Sequence, residues 1–236
     1  MKKLLWLAAV VFMQAFITAP AMADRPVVLE LFTSQGCSSC PPADALLTKL
    51  AQDPSLLALS FHINYWDYLG WKDPYASNDT TNRQHAYAAA LGKNQVFTPQ
   101  LVVDGALSAV GSNKGDVSDS IKVAKNTVPS AVNVSFSRAA SSDDLLVDIS
   151  GVQKKGADIW LVYFDRSSDT AVQAGENGGR RLVSTNAVTS IRHLGVLDKD
   201  KTQYKVAMPK EGVAVIVQTA HQGRILGAGS FLKPPA

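Results

Sequence analysis

Cysteine is scarce in this chain: 236 residues hold two, Cys37 and Cys40. That number excludes both a disulfide framework and a four-cysteine metal site. Histidine is hardly commoner, with His62, His85, His193 and His221 scattered singly. None forms a second paired cluster that would complete a metal tetrad with the cysteines. No Lys/Arg-dense stripe, internal repeat or low-complexity tract occurs, so nucleic acid is not an expected partner. Long apolar runs are also missing, with one exception at the N-terminus.

That run, Leu4 to Ala19, follows Lys2 and Lys3 and precedes Ala21-Met22-Ala23, a small-x-small cleavage pattern. Residues 1–23 read as an export signal removed near Ala23. A membrane anchor is the weaker reading, because the apolar core is short for a bilayer span and no stop-transfer cluster follows. Removal would leave 213 residues and lower the net charge from +3 to +1, since both lysines go and no acid does. The mature protein is thus expected to be periplasmic or secreted, with no stable membrane anchor. In such a compartment two neighbouring cysteines favour the disulfide.

With 46% hydrophobic residues there is ample material for a core, enough for one large domain or two small ones. The run from Val27 to Phe32 is β-branched and apolar and predicts a buried strand. Residues 41–52, with Leu46, Leu47 and Leu50 at helical spacing and Pro41-Pro42 at the start, predict a helix. A strand over Leu56 to Tyr65, a loop through Thr81, a helix ending at Gly92 and a strand from Gln100 follow. Asp104-Gly105 predicts a hairpin turn, and Val117 to Lys125 a further helix. After Val128-Pro129 the pattern changes to short alternating strands, which predicts an antiparallel β-sandwich-like region. The expected organisation is α/β: a thioredoxin-like domain over 24–129 and a smaller β-rich domain over 130–236.

The cysteines therefore fall at a strand-to-helix junction. A thiol attacks only as its thiolate, and an ordinary cysteine, with a pKa of about 8.5, is about 3% ionised at pH 7. A helix N-terminus can favour an anion by up to about 2 kcal/mol, and one pKa unit is about 1.36 kcal/mol. Position alone could bring Cys37 to about 7, with Cys40 one turn inward as resolving thiol. A plain staple is the competing reading, although the closed ring is so small that the chain-entropy gain is only about 2 kcal/mol. A metallochaperone using His62 or His85 is the third.

Other residues bear on the choice. Thr98-Pro99 precedes a strand, and a cis bond there would leave the Thr98 backbone free to pair with an extended substrate. Glu30 is a lone carboxylate within an apolar strand; burial would raise its pKa and suit it to move a proton at Cys40. Tyr65, Trp66, Tyr68, Trp71 and Tyr75, interleaved with Asp67, Lys72 and Asp73, could form a recognition lip. The glycine-rich stretch holding Glu176, Asn177, Arg180 and Arg181 lacks the strand and helix of a phosphate loop and is expected to be an exposed turn. His193 and His221 are expected to be structural.

At ELFTSQGCSSCPPAD, YWDYLGWKDPYAS, VFTPQLVVDG and GENGGRRL the chain resembles an uncharacterised family of secreted thioredoxin-like proteins, domain-of-unknown-function family 1223. The resemblance implies a thioredoxin-like fold with the pair Cys37 and Cys40, Pro99 in the proline position, and a β-rich extension. In the wider superfamily such a pair performs thiol–disulfide exchange. The expected function is exchange with exported protein thiols or disulfides, without a cofactor or bound metal, using Cys37, Cys40, Pro99 and Glu30, with Thr98, Trp66 and Trp71 contacting substrate. Ser38-Ser39 between the cysteines, and Pro41-Pro42 after them, depart from well-studied members.

Overall fold

The computed structural model describes residues 25–127, 132–151, 156–199 and 201–234. The export-signal reading of residues 1–23 and the boundary at 129 lie outside the described residues.

Strands β1 (Val27–Thr33) and β2 (Leu56–His62) run parallel, paired from Val27↔Leu56 to Thr33↔His62. Every residue of both is buried, which is why each reads as an unbroken apolar run rather than an alternating one. Between them α1 (Pro41–Leu50) opens on prolines at positions whose N–H groups would have no helical partner. Helix α2 (Asn78–Ala90) begins earlier than its apolar pattern suggests, because Ser77 and Thr80 form a reciprocal capping box. Residues 78–81, read as loop from the sequence, are therefore helical. Strands β3 (Gln100–Val103) and β4 (Leu107–Val110) are joined by Asp104-Gly105, whose positive φ angles of 52° and 66° make the expected hairpin turn. Helix α3 (Lys114–Thr127) follows.

Seven strands come next: β5 (Asn133–Arg138), β6 (Asp144–Ser150), β7 (Ala157–Ala171), β8 (Arg181–Leu197), β9 (Lys201–Ala207), β10 (Gly212–Thr219) and β11 (Ile225–Leu232). They do not form the one separate antiparallel β-sandwich-like region expected after residue 129. Four of them extend the sheet of the first half, giving the order β11-β10-β7-β8-β2-β1-β3-β4, while β5-β6-β9 forms a separate antiparallel sheet. The junction is β8, a strand that the sequence pattern did not predict; it meets β2 in parallel at Ser60↔Ala187 and β7 in antiparallel register. The result is a mixed α/β fold, with one large mixed sheet and one smaller antiparallel sheet.

Alternation along the strands sorts the core by face. Val28 and Phe32 of β1 share one face with Phe61, Val162, Phe164, Ile216 and Tyr87 of α2. On the opposite face Leu29 and Leu31 meet Ala43 and Leu47 of α1 and Val117 and Ile121 of α3. Farther along that sheet, alternate residues of β7 and β10, among them Ile159, Leu161, Val213 and Val215, pack against Val134, Leu145, Val147 and Ile149 of the small sheet. The ends of β1 and β2, the start of α1 and the tip of the long β7–β8 hairpin converge on one rim of the large sheet. The cysteines lie at that rim.

Candidate functional site

Cys37 and Cys40 are joined as a disulfide with their Cα atoms 5.5 Å apart. Cys40 is the N-cap residue of α1, and its carbonyl accepts the Ala43 and Asp44 N–H groups. Neither cysteine presents an exposed sulfur: both are 0% exposed. The Thr98 hydroxyl donates to the Cys37 Sγ at 3.3 Å, and the Ser39 hydroxyl stands at the same distance. Ser38 and Ser39 are the exposed residues of the loop.

The structure brings several expected site residues together. Thr98-Pro99 is a cis peptide, and the Thr98 hydroxyl that reaches Cys37 also accepts the Trp66 indole N–H at 2.8 Å. Trp71 donates its indole N–H to the Gln35 side chain at 3.0 Å. Tyr68, stacked on Trp66, is 78% exposed. Of the expected lip, Trp66 and Trp71 are thus wired to the cysteine loop, and Tyr68 leaves an aromatic face open beside it. Tyr75 turns elsewhere and donates to Asp165 at 3.0 Å.

Glu30 is placed differently. Its strand position has the same parity as Val28 and Phe32, so its side chain enters the α2 face, whereas α1 covers the opposite one. Arg83 holds both carboxylate oxygens, Nη2 donating to Oε1 at 2.9 Å, and Tyr87 donates to Oε1 at 2.5 Å. Gln218 closes the group by donating to the Tyr87 hydroxyl at 2.9 Å. This is a fully buried ion pair tying β1, α2 and β10 together, not a free carboxylate beside Cys40.

Of the ionisable groups on the α1 face, the sequence reading names His62 only as a candidate metal ligand and Asp73 only within the aromatic stretch, and Asp44 not at all. Thr33 and His62 are register partners, and their parity directs both toward α1. His62 Nδ1 is 2.7 Å from Asp73 Oδ2, and Asp73 also accepts the Gln35 N–H at 2.8 Å and the Tyr75 N–H at 3.0 Å. Burial, the largest single influence, pushes the His62 imidazole toward its neutral form, but the charge and hydrogen bond of Asp73 and the charge of Asp44 together outweigh it and hold its pKa above the ordinary histidine value. Asp73 is held below the ordinary carboxylate range, since His62 and the two amides outweigh its own burial. Asp44, in the first turn of α1, is pushed up to about 6 by burial, against the lowering effect of His62 and the Thr33 hydroxyl. Its Oδ1 is closed off from solvent. A carboxyl titrating near 6, one helical turn beyond Cys40, occupies the range expected of Glu30.

The glycine-rich stretch at the β7–β8 tip is also corrected. It is no free turn: Asn177 is 0% exposed. Its side-chain amide donates to the Gln35 and Cys37 carbonyls at 3.0 and 2.8 Å, and its side-chain oxygen accepts from Arg180 at 2.6 Å. Next to it, Glu176 accepts the Ser38 N–H at 2.8 Å. Its carboxyl is held below the ordinary range by that amide. His193 pairs with Asp158 at 2.9 Å and packs on Trp160 with ring centres 5.0 Å apart. Among the described residues no group of three or more His, Cys, Asp and Glu side chains is arranged to hold a metal ion. None of the described helices is long and apolar enough to cross a membrane.

No curated protein matches the chain. Among solved structures it is similar to a crystal structure of a protein from Agrobacterium tumefaciens, with a TM-score of 0.78 at 33% identity, covering 92% of this chain and 98% of that one. It is also similar to HBP35 of Porphyromonas gingivalis, with a TM-score of 0.58 at 16% identity over 89% of this chain and 75% of that one. At such an identity the second likeness concerns the fold alone. Residues 28–218 match the family described as protein of unknown function, DUF1223, and the chain belongs to that family.

Proposed function

We propose that this protein is an extracytoplasmic thiol–disulfide oxidoreductase, acting on exported proteins through Cys37 and Cys40 and built on a thioredoxin-like core of β1 to α3. One observation carries this reading: the pair closes at the N-cap of α1, with the Thr98 hydroxyl on the Cys37 sulfur and an open aromatic face alongside. A cysteine beside a helix N-terminus is favoured as the thiolate. In the reduced protein that thiolate attacks a partner disulfide, forming a Cys37–partner bond and releasing one partner sulfur, which takes up a proton. Cys40 then gives its proton to Asp44 and attacks the Cys37 sulfur; the Cys37–partner bond breaks, the second partner sulfur leaves as a thiolate, and the Cys37–Cys40 bond is restored. The partner gains two electrons and the pair loses them; the reverse sequence oxidises a partner dithiol. Rotation of the exposed Ser39 opens the Cys37 sulfur, with Thr98, Pro99, Trp66 and Trp71 forming the wall against which an extended segment lies.

Capture of the intermediate tests this reading. A Cys40→Ser variant expressed with its N-terminal segment intact should accumulate mixed disulfides with exported proteins, visible on a non-reducing gel and absent when Cys37 is replaced as well. A gel without such species would count against exchange.

The burial of both sulfurs favours a second reading, a binding protein whose disulfide shapes the loop beside the aromatic face. It requires a potential below about −300 mV, as for structural disulfides, and a Cys37 that alkylates slowly at pH 7.

A further inference from the structure

The cysteine loop is held from two sides by different parts of the chain. From the first half, Asp73 accepts the Gln35 N–H. From the second half, the β7–β8 tip makes three contacts in a row: Asn177 on the Gln35 and Cys37 carbonyls, and Glu176 on the Ser38 N–H. These contacts span about 140 positions of sequence, and the tip adds a negative charge next to the residue that follows Cys37. The Ser38 N–H is one of the amides through which the turn before α1 could stabilise a thiolate at position 37. Glu176 occupies it with an anion.

We propose that the β7–β8 tip tunes the Cys37–Cys40 couple, Glu176 disfavouring the Cys37 thiolate and so holding the pair as the disulfide, with Asn177 fixing the tip at the distance where that charge acts. Glu176 and Asn177 are positioning residues on this account, since neither exchanges sulfur or electrons. Asn177 is suited to that role because it is enclosed, both its carbonyl contacts are to cysteine-loop backbone, and Arg180 orients it. The proposal adds a regulating role to the site described above, yet needs only the disulfide, not a protein substrate.

Equilibration of the full protein with glutathione reads the effect. Two glutathione thiols reduce Cys37–Cys40 to the dithiol and are themselves joined as glutathione disulfide; two electrons pass to the pair. Glu176→Gln keeps an acceptor for the Ser38 N–H and removes only the charge; Arg180 and Asp73 stay in place. The variant should shift the equilibrium constant toward the dithiol by about two- to five-fold, the scale of one exposed charge. It should also lower the pH at which Cys37 alkylates, and both differences should shrink in 1 M salt. Asp169→Asn, which discharges the exposed pair with Arg181 on the same hairpin, should do neither. In an Asn177→Ala background the Glu176→Gln shift should become smaller. An unchanged equilibrium constant and alkylation profile in Glu176→Gln would overturn the proposal, as would an equal shift in Asp169→Asn. The wild-type potential decides separately whether the pair is an exchange catalyst, so a structural disulfide and an inert Glu176 give different results.

Discussion

Glu30 and Asp44 show how two carboxylates within fifteen residues of each other acquire opposite chemistry from their surroundings. Glu30 is met by a guanidinium, a phenol and, through it, an amide, all buried. Replacing it by glutamine would leave Arg83 charged and uncompensated in the core, which costs about 3–5 kcal/mol for broken buried pairs. We expect a loss of that order for Glu30→Gln in urea unfolding, with Cys40 alkylation of the refolded protein unchanged; a stable variant with slowed Cys40 reaction would restore Glu30 as the proton carrier. Asp44 meets no guanidinium among the described residues, and the His62 charge only partly offsets its burial. A carboxyl raised from 3.8 to about 6 binds more protons folded than unfolded, so its contribution to stability falls as pH rises between those values. His62, raised above 6.5 in the folded state, adds stability that is complete below 6.5 and lost as pH climbs through its folded value. The protein should therefore melt at a higher temperature at pH 5 than at pH 8. Asp44→Asn, which mimics the protonated acid, should gain stability at pH 8 by up to about 3 kcal/mol and little at pH 4, by thermal unfolding in both buffers.

At the scale of elements, what was legible follows from where the determining contacts lie. Strand β1, helix α1 and the β3–β4 turn are specified locally, by an apolar run, by prolines at a helix start and by Asp104-Gly105. The early start of α2 was written in Ser77 and Thr80, whose capping box precedes the apolar pattern; Ser77→Ala should cost about 1 kcal/mol in unfolding free energy. Strand β8 escaped because its stretch around Ser184 to Asn186 is polar and its burial irregular, although strands flank it on both sides. Nothing local announces such a strand; only its partners do. The same holds for Asn177, whose acceptors lie 140 and 142 positions away. Conversely, Gly227 of β11 has a purely tertiary reason: a Cβ there would run into the Val132 carbonyl. Gly227→Ala should destabilise by about 1–3 kcal/mol through overpacking, and the midpoint of urea unfolding should fall without a change in slope.

For the whole molecule, the consequence is that the site belongs to both halves of the chain. Cysteines, cis proline and tryptophans come from residues before 129. The sheet that carries them is completed by β8, and the loop that presents the disulfide is held by the hairpin β8 belongs to. One face of the core mixes Val28, Phe61 and Tyr87 with Val162, Val188 and Ile216. A fragment ending near 129 would expose that face, leave Arg83 without Gln218, and release the cysteine loop. Such a fragment should bind a hydrophobic dye and unfold without a cooperative transition; a sharp transition would establish the first half as an independent domain. The aromatic and cysteine residues of the site could be read from their clustering, but their dependence on the second half could not.

The central claim, that Cys37 and Cys40 exchange electrons with other thiols rather than staple a loop, is tested most directly by the reduction potential of the wild-type pair against glutathione at pH 7. The account predicts a measurable equilibrium, with a potential above about −300 mV. A pair that stays oxidised at every glutathione ratio, with a potential below that value, would contradict it.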